Sequence, residues 1–297
     1  MKRGSRIVCF AAASVLCTHD AWAHEVGRAI PPSPSVWDVA VMALLVAAAA
    51  MYLLGTLQMA RRQAHVRRVE RMAFWIGWVA MLAAVAPPMD AASARAFSSH
   101  MAQHELLMLI GAPLMIVGRP IVPWLWALPN RVRSAAASGL QQRAIGAVWQ
   151  WLTLPALAWA LHGAVVWAWH APALYQAALE SEAVHALQHA TFVGTAVLFW
   201  WGLIYGRYGR AAYGASALFV FITMMHTGAL GALFALSSSP YYPLYQERAS
   251  AAGIDPVSDQ QLAGLYMWIP SGIVLTIFAM ALMLAWLSES DRRARSW

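Results

Sequence analysis

Residues 37–60 read WDVAVMALLVAAAAMYLLGTLQMA, an apolar run interrupted by one charge, Asp38. A helix needs about 20 predominantly apolar residues to cross a bilayer, and this stretch meets that requirement. Six more stretches qualify further along the chain: 72–88, 100–118, 147–169, 183–205, 212–236 and 261–287. The second is short and closes on Pro87-Pro88. The composition agrees, with 61% of the 297 residues hydrophobic and 11% charged. An ordinary soluble domain is about half apolar and about a quarter charged, so a conventional water-soluble enzyme is excluded. The expectation is an all-α, polytopic membrane protein with seven transmembrane helices. No internal repeat or long linker divides it, and residues 24–297 read as a single membrane domain. The run RPIVPWLWALP at 119–129 is too short to span and is broken by prolines. It is expected at the interface, with Trp124 and Trp126 in the headgroup layer.

Residues 1–23 have the pattern of a cleaved signal peptide. Lys2, Arg3 and Arg6 precede the apolar run Ile7 to Leu16, and Ala21-Trp22-Ala23 is a small-x-small cleavage site. Both cysteines, Cys9 and Cys17, fall inside it. A mature chain starting at His24 therefore has no disulfide and no thiolate, and any metal must rest on His, Met or carboxylate. The amine and ring of an amino-terminal His24 form a minor chelating site for copper.

The formal charge of +7 is sorted by membrane side. Of the 20 basic residues, three belong to the signal and 14 fall in the loops of one side: Arg61, Arg62, Arg67, Arg68, Arg71, Arg119, Arg131, Arg133, Arg143, Arg207, Arg210, Arg292, Arg293 and Arg295. Only Arg28, Arg95 and Arg248 lie opposite. The positive-inside rule then places the amino terminus outside and the carboxyl terminus inside, as an odd number of spans also requires. This is a topology signal and not a nucleic-acid surface.

With that orientation the histidines gather on one side. His100 and His104 open the third span from the outside, and His185 and His189 open the fifth. Each pair is spaced i, i+4, on one helix face. His170 ends the fourth span, with His162 roughly 12 Å below the outer end and His226 in the sixth roughly 15 Å below, at 1.5 Å per residue. Of the histidines from His65 onward, only His65 is on the inner side. Ionisable groups at such depth are costly and mark functional sites. Met101, Met108, Met224, Met225 and Met267 accompany them. Imidazole with thioether and no thiolate suits copper better than zinc or magnesium. Glu105 is placed to orient an imidazole or to join the coordination. The bland alternative is that single histidines bond neighbouring helices and the methionines simply pack. No phosphate loop or Ser-His-Asp arrangement supports a kinase or hydrolase reading. The loop 237–260 is placed to fold over the outer mouth.

At these residues the chain resembles a known family. The segments HMAQHELLMLIGAPLMIVGRP (100–120), WHAPALYQAALESEAVHALQHATFVGTAVLFWW (169–201), MMHTGALGALFALSSSPYYPLYQ (224–246) and DQQLAGLYMWIPSG (259–272) are similar to the multi-pass CtaG family of cytochrome c oxidase assembly proteins. The resemblance covers roughly residues 35–285. It implies a non-enzymatic bacterial plasma-membrane protein needed for maturation of haem–copper oxidases at the copper-delivery step. Its partners would be oxidase subunits and a periplasmic copper donor, with no nucleic acid. His100, His104, His170, His185, His189 and His226 match the family's characteristic positions. Two other functions fit facing membrane histidines: a haem-binding redox protein, and copper transport or resistance. Against a conducting path, the polar ligands stop near mid-membrane.

Overall fold

The computed structural model describes residues 35–206 and 209–294. The expected signal peptide, its cleavage site, His24 and Arg28 lie outside the described residues. Among those described, all regular structure is helical. Five helices are long and apolar enough to cross a membrane, or seven if each of two bent pairs is one span.

The first candidate span is α1 (Val36–Arg61). A capping box starts it: Asp38 N–H donates to Ser35 Oγ at 3.1 Å, and Ser35 N–H to Asp38 Oδ2 at 2.9 Å. Leu44, Val46, Leu53, Leu54 and Leu57 remain exposed, as on a helix facing lipid. The second is α2 (Arg68–Val85), followed by α3 (Pro87–Ser93) at a 50° bend. Pro87 lacks the N–H that would continue the ladder, so the chain turns there.

The next candidate span comprises α4 (Phe97–Glu105), a π-helical turn (Leu106–Gly111) and α5 (Ala112–Val117). In the π turn Ala112 N–H reaches back to Leu107 O. Such a turn inserts one residue and leaves the local ladder irregular. Trp200 compensates from a neighbouring helix, donating to Met108 O at 2.9 Å.

The segment expected at the interface forms α6 (Ile121–Ala127). Trp124 is half-buried against α1, donating to Ala48 O at 2.9 Å. Gly55 permits this packing, since a Cβ there would meet Pro123 O. Next come α7 (Asn130–Leu140) and α8 (Arg143–Leu152). The stretch 147–169, expected as one span, is bent by 62° between α8 and α9 (Pro155–His170). Pro155 at the first position of α9 starts a new helix more readily than it continues an old one.

After α10 (Pro172–Glu180), the long helices α11 (Glu182–Tyr205) and α12 (Gly209–Ala235) are each long and apolar enough to cross a membrane. Then α13 (Pro243–Ala251) occupies the 237–260 loop, and α14 (Pro256–Ala294) completes the bundle. Helices α12 and α14 touch backbone to backbone. A Cβ on Gly231 would lie 2.8 Å from Gly264 O, and one on Gly264 would lie 2.4 Å from Gly231 O. With no hydrophobic drive between helices in lipid, this close approach supplies the attraction.

Candidate metal centre

The site is built on α4 and α11. Helix α4 has no side-chain cap of its own. Its first N–H groups are met instead by Asp259, in the first turn of α14: Phe97 N–H donates to Oδ2 at 2.7 Å and Ser98 N–H to Oδ1 at 3.2 Å. Ser98 Oγ donates to the same carboxylate. A capping carboxylate 162 residues away in sequence thus ties the start of α4 to α14.

The i, i+4 spacing then places four imidazoles in mutual contact. Ring centroids lie 4.4 Å apart for His100–His104 and 4.3 Å for His185–His189. Between helices they lie 5.2 Å apart for His100–His185 and 5.1 Å for His104–His189. His100, His185 and His189 each offer a ring nitrogen such that all three atoms lie within 4.8 Å of one another. Metal–imidazole bonds of about 2.0–2.1 Å place ligand nitrogens about 3.3–3.5 Å apart, so small side-chain shifts would close the trio on one ion.

The protons can be assigned from the partners. Tyr245 O–H donates to Ser93 O, so it must accept from His100 Nδ1, 2.6 Å away. A neutral imidazole carries one N–H. His100 Nε2 is therefore bare, and it accepts from His104 Nε2 at 3.0 Å. That leaves His104 Nδ1 bare, buried and without a partner among the described residues. His185 Nε2 and His189 Nε2 are also buried without a partner. Buried polar atoms are nearly always paired, and this concentration of unpartnered imidazole nitrogens fits a cation-binding centre.

The remaining expected residues lie outside the four-ring group. His170 donates from Nδ1 to Val166 O at 2.7 Å, leaving Nε2 bare, buried and unpartnered. His162 Nδ1 lies 3.1 Å from Thr195 Oγ1, whose own proton goes to Thr191 O. His162 and His170 line a cavity of about 50 Å³ together with His104, Glu105 and three methionines. Glu105 accepts from Ser271 Oγ at 2.9 Å, with no imidazole bonded to it among the described residues. His226 has the reverse tautomer: Trp167 Nε1–H donates to its Nδ1 at 3.3 Å, so the ring proton sits on Nε2.

Two residues of the site carried no ligand signal in the sequence. Asp259 acts through a cap, and Tyr245 through the hydrogen bond to His100. Tyr245 reaches the cluster from α13, where it lies beside buried Tyr175 and Tyr242. Burial pushes all three phenols well above their ordinary value, so each remains an O–H donor. Arg248 holds α13 in place by donating to Leu179 O at 3.2 Å and Ala94 O at 3.4 Å. From this segment Tyr245 bonds His100 and Tyr242 O–H donates to His170 O at 2.9 Å.

A family model described as cytochrome c oxidase caa3 assembly factor (Caa3_CtaG) matches residues 50–289. That stretch includes all four clustered histidines, Tyr245 and Asp259. No curated protein and no solved structure matches the chain.

Proposed function

The chain belongs to the cytochrome c oxidase caa3 assembly factor family, and on that premise we propose that it binds copper as cargo at His100, His185 and His189 and passes it to a haem–copper oxidase subunit. The observation that carries this reading is the convergence of those three nitrogens within 4.8 Å. His104 completes the ring group, and Tyr245 fixes which His100 nitrogen faces the ion. Labile imidazole ligands without thiolate favour transfer over permanent storage. The protein acts as an assembly factor rather than a turnover catalyst, so copper is what it carries and not a cofactor it retains.

The charge asymmetry of the loops supports a site on the outer side of a bacterial plasma membrane. There it meets copper supplied from the periplasm. A haem reading fits less well, because the rings are in direct edge contact, His100 with His104 at 4.4 Å, with no gap for a macrocycle between them. A copper-transport reading would need ligands continuing to the opposite face. On that side stand His65, in the loop after α1, and Met59 at the end of α1, with no ligand ladder between them and the cluster among the described residues.

The test is a His185→Ala/His189→Ala variant in cells. It should leave the protein at normal abundance and the oxidase deficient in copper. Full copper content in the oxidase of such cells would exclude the proposed role.

A further inference from the structure

We propose a second copper(I) station, distinct from the three-histidine trio, in the cavity beneath it. This rests on the copper reading above and adds a site to it. His104 Nδ1 and His170 Nε2 are both bare, buried and unpartnered among the described residues, and both rings line the same cavity of about 50 Å³. Met101, Met108 and Met267 line it too, and Glu105 is its one acidic lining residue. A cavity of that size holds about three or four waters, enough space for one ion. Two imidazoles with thioethers form a soft donor set suited to copper(I) and poor for magnesium or calcium.

The hydrogen-bond chain explains why this nitrogen of His104 is available. Ser93 O fixes the Tyr245 proton, Tyr245 fixes the His100 tautomer, and His100 in turn fixes that of His104. The chain ends on a lone pair at His104 Nδ1 in a ring that lines the cavity. His100 Nε2 cannot accept from His104 and ligate an ion at once. The two stations therefore oppose each other, and the second ion binds more weakly than the first. Movement between them is ligand exchange with no change in the oxidation state of copper.

The experiment is anaerobic copper(I) titration of the purified chain with X-ray absorption, on wild type, Met101→Leu/Met267→Leu, His170→Gln and His185→Ala/His189→Ala. Met→Leu conserves volume and is well tolerated in cores, and His170→Gln gives an independent perturbation of the cavity. We expect two equivalents of unequal affinity in the wild type, with sulfur in the copper shell. The Met pair should weaken one equivalent and reduce the sulfur in its shell, with Met108 the one lining thioether left, and His170→Gln should weaken the same equivalent. A single nitrogen-only equivalent in the wild type, lost in the His185/His189 variant, would overturn the second station and leave the first intact. A single sulfur-bearing equivalent that survives that variant would overturn the three-histidine site and retain the cavity. Two equivalents with undiminished sulfur in the Met pair would also overturn the second station. Absence of copper in every sample would overturn both.

Discussion

His100 Nδ1 lies 2.6 Å from the Tyr245 hydroxyl, 145 residues away in sequence, and that hydroxyl has committed its proton to Ser93 O. The contact fixes the His100 tautomer and aims the opposite nitrogen at His104 and the α11 pair. Tyr245→Phe removes the lock while keeping the ring. Outer hydrogen bonds of this kind are worth about 10–100-fold in metal affinity. We expect copper(I) affinity to fall by that factor in competition titrations while the melting temperature changes little. Unchanged affinity would show that Tyr245 only packs.

Asp259 joins two helices through charge-assisted hydrogen bonds to the start of α4. Asp259→Ala leaves those N–H groups buried without a partner, a loss on the order of 2 kcal/mol. Asp259→Asn, still able to cap, should lose less. Thermal unfolding in detergent should rank wild type, Asn and Ala in that order, and equal stability of all three would refute the capping role.

The contact between α12 and α14 tolerates no side chain at Gly264. Gly264→Ala puts a methyl group 2.4 Å from Gly231 O, forcing the helices apart. Gly272 on the same helix has open space around its Cβ position. Gly272→Ala should hold or raise the melting temperature, since Ala is the better helix former, and Gly264→Ala should lower it. Similar effects at both positions would contradict the close packing.

Alkaline pH should act through the phenols of Tyr175, Tyr242 and Tyr245, each raised by burial. The unfolded chain ionises tyrosine near 10, while the folded chain keeps these protons. Their contribution to stability is therefore complete below about pH 10 and declines above it. Melting temperatures measured from pH 8 to 11 should fall at the upper end. A flat profile would show that these phenols ionise alike in both states.

Helical spacing was enough to pair His100 with His104 and His185 with His189, because i and i+4 share a face whatever the tertiary structure. The helices themselves were legible from apolar length, and Pro87 marked where the second one ends, whereas the bend at Pro155 lay inside a stretch expected as one run. What spacing could not supply was rotation about each helix axis. His226 fell at a suitable depth but turns to Trp167, which holds its ring in the opposite tautomer. Glu105 follows His104 in sequence, yet it faces Ser271 on α14. Trp124 likewise turns toward the Ala48 carbonyl. The roles of Tyr245 and Asp259 depend on contacts across 145 and 162 residues, and local patterning carries no information about those.

The copper assignment rests on the trio of His100, His185 and His189. Its most direct test is equilibrium copper(I) binding to the detergent-purified protein, comparing wild type with His100→Ala/His185→Ala/His189→Ala and with His226→Ala. We expect the tightest-bound copper to disappear in the triple variant and to remain in His226→Ala. Tightest-bound copper that survives loss of all three histidines would contradict the assignment.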